Sequence, residues 1–221
     1  IVKQYHVSPD KIDVVYNGAS DAYHPLTPAE KEAVRQEYTG GLPYFIFIGS
    51  LHPRKNLANL FRAFDLFKKS NPSEVKLLIV GARKWWTRDM DFAYNRMVFS
   101  DDVIFTGRLN TEELANVLGS AIALTYVSYF EGFGIPIVEA FRCDVPVITS
   151  NVTSMPEVAG DAALLVDPFS PESIEEALYK SYQYDSIRQE LINRGRRRRE
   201  MFSWQQTADR LWESIEKAVN S

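Results

Sequence analysis

Glu131 and Glu139 enclose a stretch, Glu131-Gly132-Phe133-Gly134-Ile135-Pro136-Ile137-Val138-Glu139, with two glycines in its first half and what reads as the start of a helix around Pro136. Glycines let backbone amides come close to an anion, and the first turn of a helix has N–H groups with no partner of their own. The stretch therefore has the makings of a phosphate site. Carboxylates repel phosphate, so Glu131 and Glu139 are suited to hydroxyls instead: a ribose diol or sugar hydroxyls, each charged hydrogen bond being worth about 1.5–3 kcal/mol. A nucleoside diphosphate sugar carries both kinds of group. The plainer alternative makes Glu139 a partner of the helix dipole and Glu131 a solvated loop residue.

A second cluster is Gly49-Ser50-Leu51-His52-Pro53-Arg54-Lys55-Asn56. Arg54 and Lys55 are adjacent cations just ahead of a helical pattern. Beside the positive end of a helix such a pair is unfavourable unless an anion is shared, and a diphosphate would supply one. Taken alone, the pair also fits an exposed basic helix start. Weaker signals argue less. Asp89-Met90-Asp91 has the spacing of a metal-binding Asp-x-Asp, but it leads toward a helix instead of closing an apolar strand, which favours solvated carboxylates. His52 has no carboxylate partner at readable spacing. The Gly-x-Gly of Gly132 and Gly134 lacks the third glycine of a dinucleotide fingerprint. No metal and no cofactor is expected.

The elements that must position these residues are legible as alternation. Apolar runs of strand length occur at 44–49, 75–81, 103–107, 122–127, 145–149 and 163–167. Between them lie helical patterns, among them 56–69 with Leu57, Leu60, Phe61, Phe64 and Phe67 on one face. Thr27, Asn110 and Ser203 stand three residues before Glu or Gln as helix caps, and Ser170-Pro171 starts another helix. Strands apolar on both faces and separated by helices predict an α/β fold: a Rossmann-like parallel sheet of about six strands with helices on both faces. In such sheets ligands bind beyond the carboxyl ends of the strands, where both clusters fall. Residues 1–26 do not fit the alternation and read as an incoming interdomain segment. Residues 27–202 form the Rossmann-like domain, and 203–221 a terminal amphipathic helix. Trp204, Ala208, Leu211, Trp212, Ile215 and Val219 share one face of that helix, which is expected to pack against a core.

Composition narrows the partners. Twenty-five Lys and Arg against 29 Asp and Glu give no general attraction to nucleic acid. Cys143 is alone, so there is no internal disulfide framework, which fits a reducing compartment. No stretch reaches the ~20 apolar residues of a membrane span, and the expectation is a cytoplasmic protein. The basic run from Arg196 to Arg199 could touch the anionic inner face of a membrane, against the blander reading of a solvated helical turn. The chain begins at Ile1 in mid-phrase, and preceding residues are expected to be missing.

These phrases together resemble the carboxy-terminal, donor-binding domain of family 4 (group 1) glycosyltransferases of the GT-B fold, whose hallmark is Glu-x7-Glu, the spacing of Glu131 and Glu139. Gly49 with Pro53-Arg54-Lys55-Asn56, Gly107-Arg108-Leu109, Pro146-Val147-Ile148-Thr149-Ser150 and the run 156–163 agree with it, so the resemblance covers nearly the whole chain. It implies a nucleotide-sugar site made of Gly49, Arg54, Lys55, Gly107, Arg108, Leu109, Glu131, Gly132, Phe133, Gly134, Ile135 and Glu139. Glu131 would contact the transferred sugar and the amides from Gly132 to Ile135 the diphosphate or sugar. Glu139 would hold the ribose, residues 107–109 would lie near the base, and Arg54 and Lys55 would neutralise the leaving diphosphate. Glu131, Arg54 and Lys55 are the catalytic candidates. The chemistry implied is metal-free transfer of a hexose, with retention, from a GDP- or UDP-linked donor to a glycan or lipid-linked acceptor held by an amino-terminal domain. Similarity of the Pro-Arg-Lys-Asn phrase to a branch rich in mannosyltransferases favours mannose. Two positions depart from the pattern: Ser50, where many members have Arg, and Asp144, where many have Gly. A non-catalytic nucleotide-sugar-binding module and a GT-B-like epimerase or phosphorylase are the alternatives.

Overall fold

The computed structural model describes residues 1–220. In chain order its main elements are α1 (Val2–Tyr5), α2 (Pro28–Thr39), β1 (Tyr44–Ile48), α3 (Leu57–Ser70), β2 (Lys76–Val80), α4 (Arg88–Asn95), β3 (Val103–Gly107) and α5 (Thr111–Gly119). They continue with β4 (Ala123–Tyr126), α6 (Ile135–Arg142), β5 (Val147–Ser150), α7 (Met155–Ala159), β6 (Ala163–Val166), α8 (Pro171–Gln183), α9 (Asp185–Arg198) and α10 (Trp204–Val219). The strands form one six-stranded sheet in the order β3-β2-β1-β4-β5-β6, every pair parallel. All six strands expected from the apolar runs are present, and the fold is the α/β Rossmann-like fold.

Alternation along β1 feeds two cores. Tyr44, Ile46 and Ile48 pack on one face with Val117 and Leu118 of α5 and Val138 and Phe141 of α6. Phe45 and Phe47 pack on the other with Leu57, Leu60, Phe61, Phe64 and Phe67 of α3 and with Ile174 and Leu178 of α8. Burial of both faces is why the strands read as unbroken apolar runs. Thr27 and Asn110 each close a full capping box with Glu30 and Glu113. Ser203 accepts from Gln206 N, but the Gln206 side chain turns to the Glu200 carbonyl, so that box is half made.

The ends of the chain run together. Gly18 lies so close to the Trp204 backbone that a Cβ there would collide with it. Thr207 Oγ1 donates to Tyr16 O at 2.6 Å, and Ser214 Oγ to Asp13 Oδ2 at 2.9 Å. Ala19 and Tyr23 enter the sheet core. The burial expected for the apolar face of α10 is not found: none of its residues is buried, and Trp212 is 61% exposed. The segment it runs beside meets it through hydrogen bonds of Thr207, Ser214 and Lys217. No described helix is long and apolar enough to cross a membrane.

Candidate functional site

Strand order reverses between β1 and β4, which are neighbours although β2 and β3 lie between them in sequence. Connections leave the two strands in opposite directions there, opening a crevice beyond their carboxyl ends. The loop after β1 carries Arg54 and Lys55, and the loop after β4 carries Glu131. Asn56 ties the loops together. It caps α3 in the left-handed region (φ 62°), and its side-chain amide donates to Val127 O at 2.9 Å and Pro168 O at 2.7 Å. Tyr129 N donates to Arg54 O at 2.8 Å.

The three catalytic candidates meet. Arg54 Nη1 is 2.6 Å from Glu131 Oε2, and Lys55 Nζ is 2.7 Å from Oε1. Arg54 Nη1 also donates to Phe130 O at 3.1 Å. Lys55 is 6% exposed and Glu131 7%, so this is a largely desolvated cluster in which two cations outweigh one carboxylate. Burial pushes the Glu131 carboxyl up, but hydrogen bonds and charge from Lys55, Ser128 and Arg54 prevail and hold it below the usual carboxylate range. Burial also pulls the Lys55 ammonium below the usual lysine value, with Glu131 opposing. Arg54, by contrast, keeps an open side to solvent, its side chain being 42% exposed.

The glycine-containing loop leads into α6 as expected. Gly134 is the N-cap at φ 110° and no side chain caps the helix; Pro136 has no N–H and Ile137 N donates to Gly134 O at 2.9 Å, so the amide left at the helix entrance is that of Ile135. Ser154 Oγ donates to Glu131 O and Phe133 O, both at 2.9 Å, and Glu131 N donates to Thr153 Oγ1 at 3.3 Å. These clamps fix the loop, and they were not singled out from sequence because hydroxyls 21 to 23 residues downstream carry no readable spacing. Phe133 turns its ring inward against Tyr16 and Phe202, so only its backbone faces the site. Gly132 and Ile135 are exposed.

Glu139 is half-buried on α6 and meets Tyr23 instead of joining the cation cluster. Burial pushes its carboxyl up to about 7, with a hydrogen bond from Tyr23 opposing. A carboxyl whose folded pKa lies above its ordinary 4.5 costs stability as pH rises between the two values, because the folded chain there holds more protons than the unfolded one. Glu139→Gln is therefore expected to stabilise the chain by up to about 3 kcal/mol at pH 8 and hardly at all at pH 4. Thermal unfolding of both proteins at the two pH values checks this, and equal gains at both would remove the burial explanation.

β1, β2 and β3 all run out into glycines, Gly49, Gly81 and Gly107, each with positive φ. A Cβ on Gly81 would collide with the Gly49 carbonyl, so that close approach demands glycine. Without side chains there, a cavity of about 330 Å³ opens, lined by Gly49, Ser50, Gly81, Arg108, Leu109 and Leu114. Gly49 joins the two parts of the site. It forms the cavity wall, and a Cβ on it would stand 3.6 Å from Lys55 Nζ. A second cavity of about 390 Å³, between Tyr23, Arg142, Arg199 and Ser203, contains none of the sequence-predicted residues. Its guanidiniums are already occupied, Arg142 with Asp21 and Arg199 with Asp144.

The weaker signals fall elsewhere. Asp89 and Asp91 lie in the first turn of α4, where Asp89 pairs with Arg62 at 2.6 Å. His52 Nδ1 accepts from Arg54 N at 3.2 Å, a turn-forming contact. In the basic run, Arg196 and Arg199 both bind Asp144, and Arg198 donates to the Val158 and Glu157 carbonyls. Asp144 has φ 55°, which explains why glycine suits this position, and its two arginine partners hold the aspartate there.

Comparison with known proteins gives the family. The sequence pattern described as "Glycosyl transferases group 1" matches residues 29–198, and the chain belongs to that family. It is 34% identical over 206 residues to O-antigen chain mannosyltransferase B of Escherichia coli, covering 93% of this chain and 54% of that protein. It is 31% identical over 178 residues to O-antigen chain mannosyltransferase RfbU of Salmonella typhimurium, covering 80% and 46%. The chain thus spans about half the length of these relatives. Among solved structures, Anabaena HepE in complex with UDP and glucose superposes with a TM-score of 0.82 at 18% identity, covering 93% of this chain and 57% of that one. At that identity the likeness is one of fold, the fold of GT-B glycosyltransferases.

Proposed function

We propose that this chain is the donor-binding part of a retaining hexosyltransferase, gripping a nucleoside diphosphate sugar at the β1–β4 crevice. The observation that carries the reading is the meeting of Arg54, Lys55 and Glu131 within 2.7 Å at the strand-order reversal. The base and ribose occupy the glycine-walled cavity beside Arg108 and Leu109. The diphosphate lies across Lys55, Arg54 and the Ile135 amide at the entrance of α6. As Arg54 turns to phosphate, Glu131 Oε2 is released to bind hydroxyls of the transferred sugar, while Lys55 keeps its pairing with Oε1. Glu139 accepts from the ribose, exchanging its hydrogen bond with Tyr23 for the diol.

In the transfer step the bond from the anomeric carbon to the diphosphate oxygen breaks, negative charge gathers on the leaving group, and the acceptor hydroxyl oxygen bonds to the anomeric carbon as its proton passes to the departing diphosphate. Donors already in place for that charge act without reorganisation, each worth roughly 3–4 kcal/mol of barrier. Arg54, Lys55 and the Ile135 amide are such donors. Mannose is the proposed sugar, supported by the names of the relatives, and the acceptor is a glycan or lipid-linked glycan held outside these 221 residues. Calorimetric titration of the chain with GDP-mannose, UDP-glucose and free mannose tests the reading. Binding of a sugar nucleotide but not of free mannose is expected, with the affinity falling in Glu139→Ala by about tenfold or more. No sugar-nucleotide binding, or equal affinity in the variant, would count against the donor role or the ribose role respectively.

A further inference from the structure

The proposed donor chemistry leaves one buried polar neighbour of Lys55 without a task. Tyr126, the last residue of β4, is 2% exposed, yet Lys55 Nζ donates to its hydroxyl at 2.8 Å and lies 4.5 Å from its ring centroid. Burial and the neighbouring Glu131 carboxylate keep the phenol protonated. Lys55 Nζ therefore meets two groups at once, the Tyr126 hydroxyl at 2.8 Å and Glu131 Oε1 at 2.7 Å. The phenol oxygen accepts from the cation, a duty that phenylalanine or leucine could not perform.

An ammonium has three N–H donors. Glu131 and Tyr126 engage two of them. Beside the ammonium stands Gly49, on which a Cβ would lie 3.3 Å from Lys55 Cε and 3.6 Å from Nζ, and Gly49 is also part of the wall of the strand-end cavity. A lysine held by Glu131 alone could turn about its flexible stem and direct its donors elsewhere. With two anchors at fixed positions, the direction of the third donor is set.

We infer that Tyr126 is a positioning residue for the donor: its hydroxyl fixes the Lys55 ammonium so that one N–H faces the Gly49 side, where the diphosphate binds. This rests on the donor-binding reading given above. Tyr126 acts through Lys55 and touches no phosphate itself.

The test is calorimetric titration of the chain with GDP and with UDP, comparing wild type, Tyr126→Phe, Lys55→Met and the double variant. Tyr126→Phe keeps the ring and the packing volume, so its melting temperature reports any merely structural part. The expected result is about a tenfold loss of nucleoside diphosphate affinity in Tyr126→Phe. No further loss is expected when the change is added to Lys55→Met, because the two side chains act as one unit. A second readout is the alkaline limb of binding, where affinity falls as Lys55 loses its proton. The charged and titratable groups facing that ammonium are Glu131 from the loop after β4, Arg54 from its own loop and Tyr126 from β4. Removing a hydrogen bond that favours the charged form moves this limb to lower pH in Tyr126→Phe.

Wild-type affinity with an unmoved alkaline limb in Tyr126→Phe, or a loss that adds in full to that of Lys55→Met, would overturn the positioning role. Wild-type affinity in Lys55→Met alone would instead overturn the donor reading on which the role depends.

Discussion

Lys55→Met in the full-length transferase is expected to lower turnover at least about a hundredfold, in line with the loss of one fixed donor to a developing anion. The magnitude follows from where the ammonium sits. It is 6% exposed, so its interaction with an incoming phosphate is little screened, and it is already oriented by Glu131 and Tyr126. Methionine retains most of the apolar stem and leaves Glu131 paired with Arg54, so the fold should survive. Steady-state kinetics with a thermal melt as control make the measurement. Near-normal turnover would exclude Lys55 from charge stabilisation.

Glu131→Gln is the second large effect, again at least about a hundredfold in turnover, since an amide binds sugar hydroxyls more weakly than a carboxylate and cannot counter the cations. Here stability changes as well. Breaking a buried pair by removing one partner typically costs about 3–5 kcal/mol, because the other charge is left without compensation. The Lys55 ammonium, already below the usual lysine value through burial, loses the group that opposes the shift. Its folded chain then binds fewer protons than the unfolded one over a wider range, so the variant should regain stability as pH rises toward the ordinary lysine pKa. Urea titrations at neutral and alkaline pH would show that gain, and a flat profile would mean Lys55 finds another counter-ion. The double variant Lys55→Met with Glu131→Gln should lose less stability than the two single losses summed.

The sheet and the residues that meet at its strand-order reversal were legible for one reason: both leave local marks. Burial on two faces writes continuous apolar strands such as Phe45 to Ile48, and an anion site on a helix start writes glycines before Pro136. Which loop meets which was legible only through the expectation that ligands bind at strand ends. The partners Tyr126, Thr153, Ser154 and Tyr23 were not legible, since each reaches the site across the fold from a position with no distinctive spacing. Tyr126 in particular reads as one more apolar strand residue until its hydroxyl is seen 2.8 Å from Lys55. The α10 face shows the reverse failure. Its helical periodicity is plain, but periodicity states that a face is apolar and does not say what covers it.

Whether one sugar nucleotide is gripped jointly by Lys55, Arg54 and the entrance of α6 is tested most directly by a crystal structure of the chain grown with GDP-mannose. The expected density places diphosphate oxygens about 3 Å from Lys55 Nζ and from the Ile135 amide at the entrance of α6, with the nucleoside against Arg108 and Leu109. A nucleotide lodged instead in the Arg142 and Arg199 cavity, with the Arg54–Glu131 pair still closed and Lys55 untouched, would contradict it.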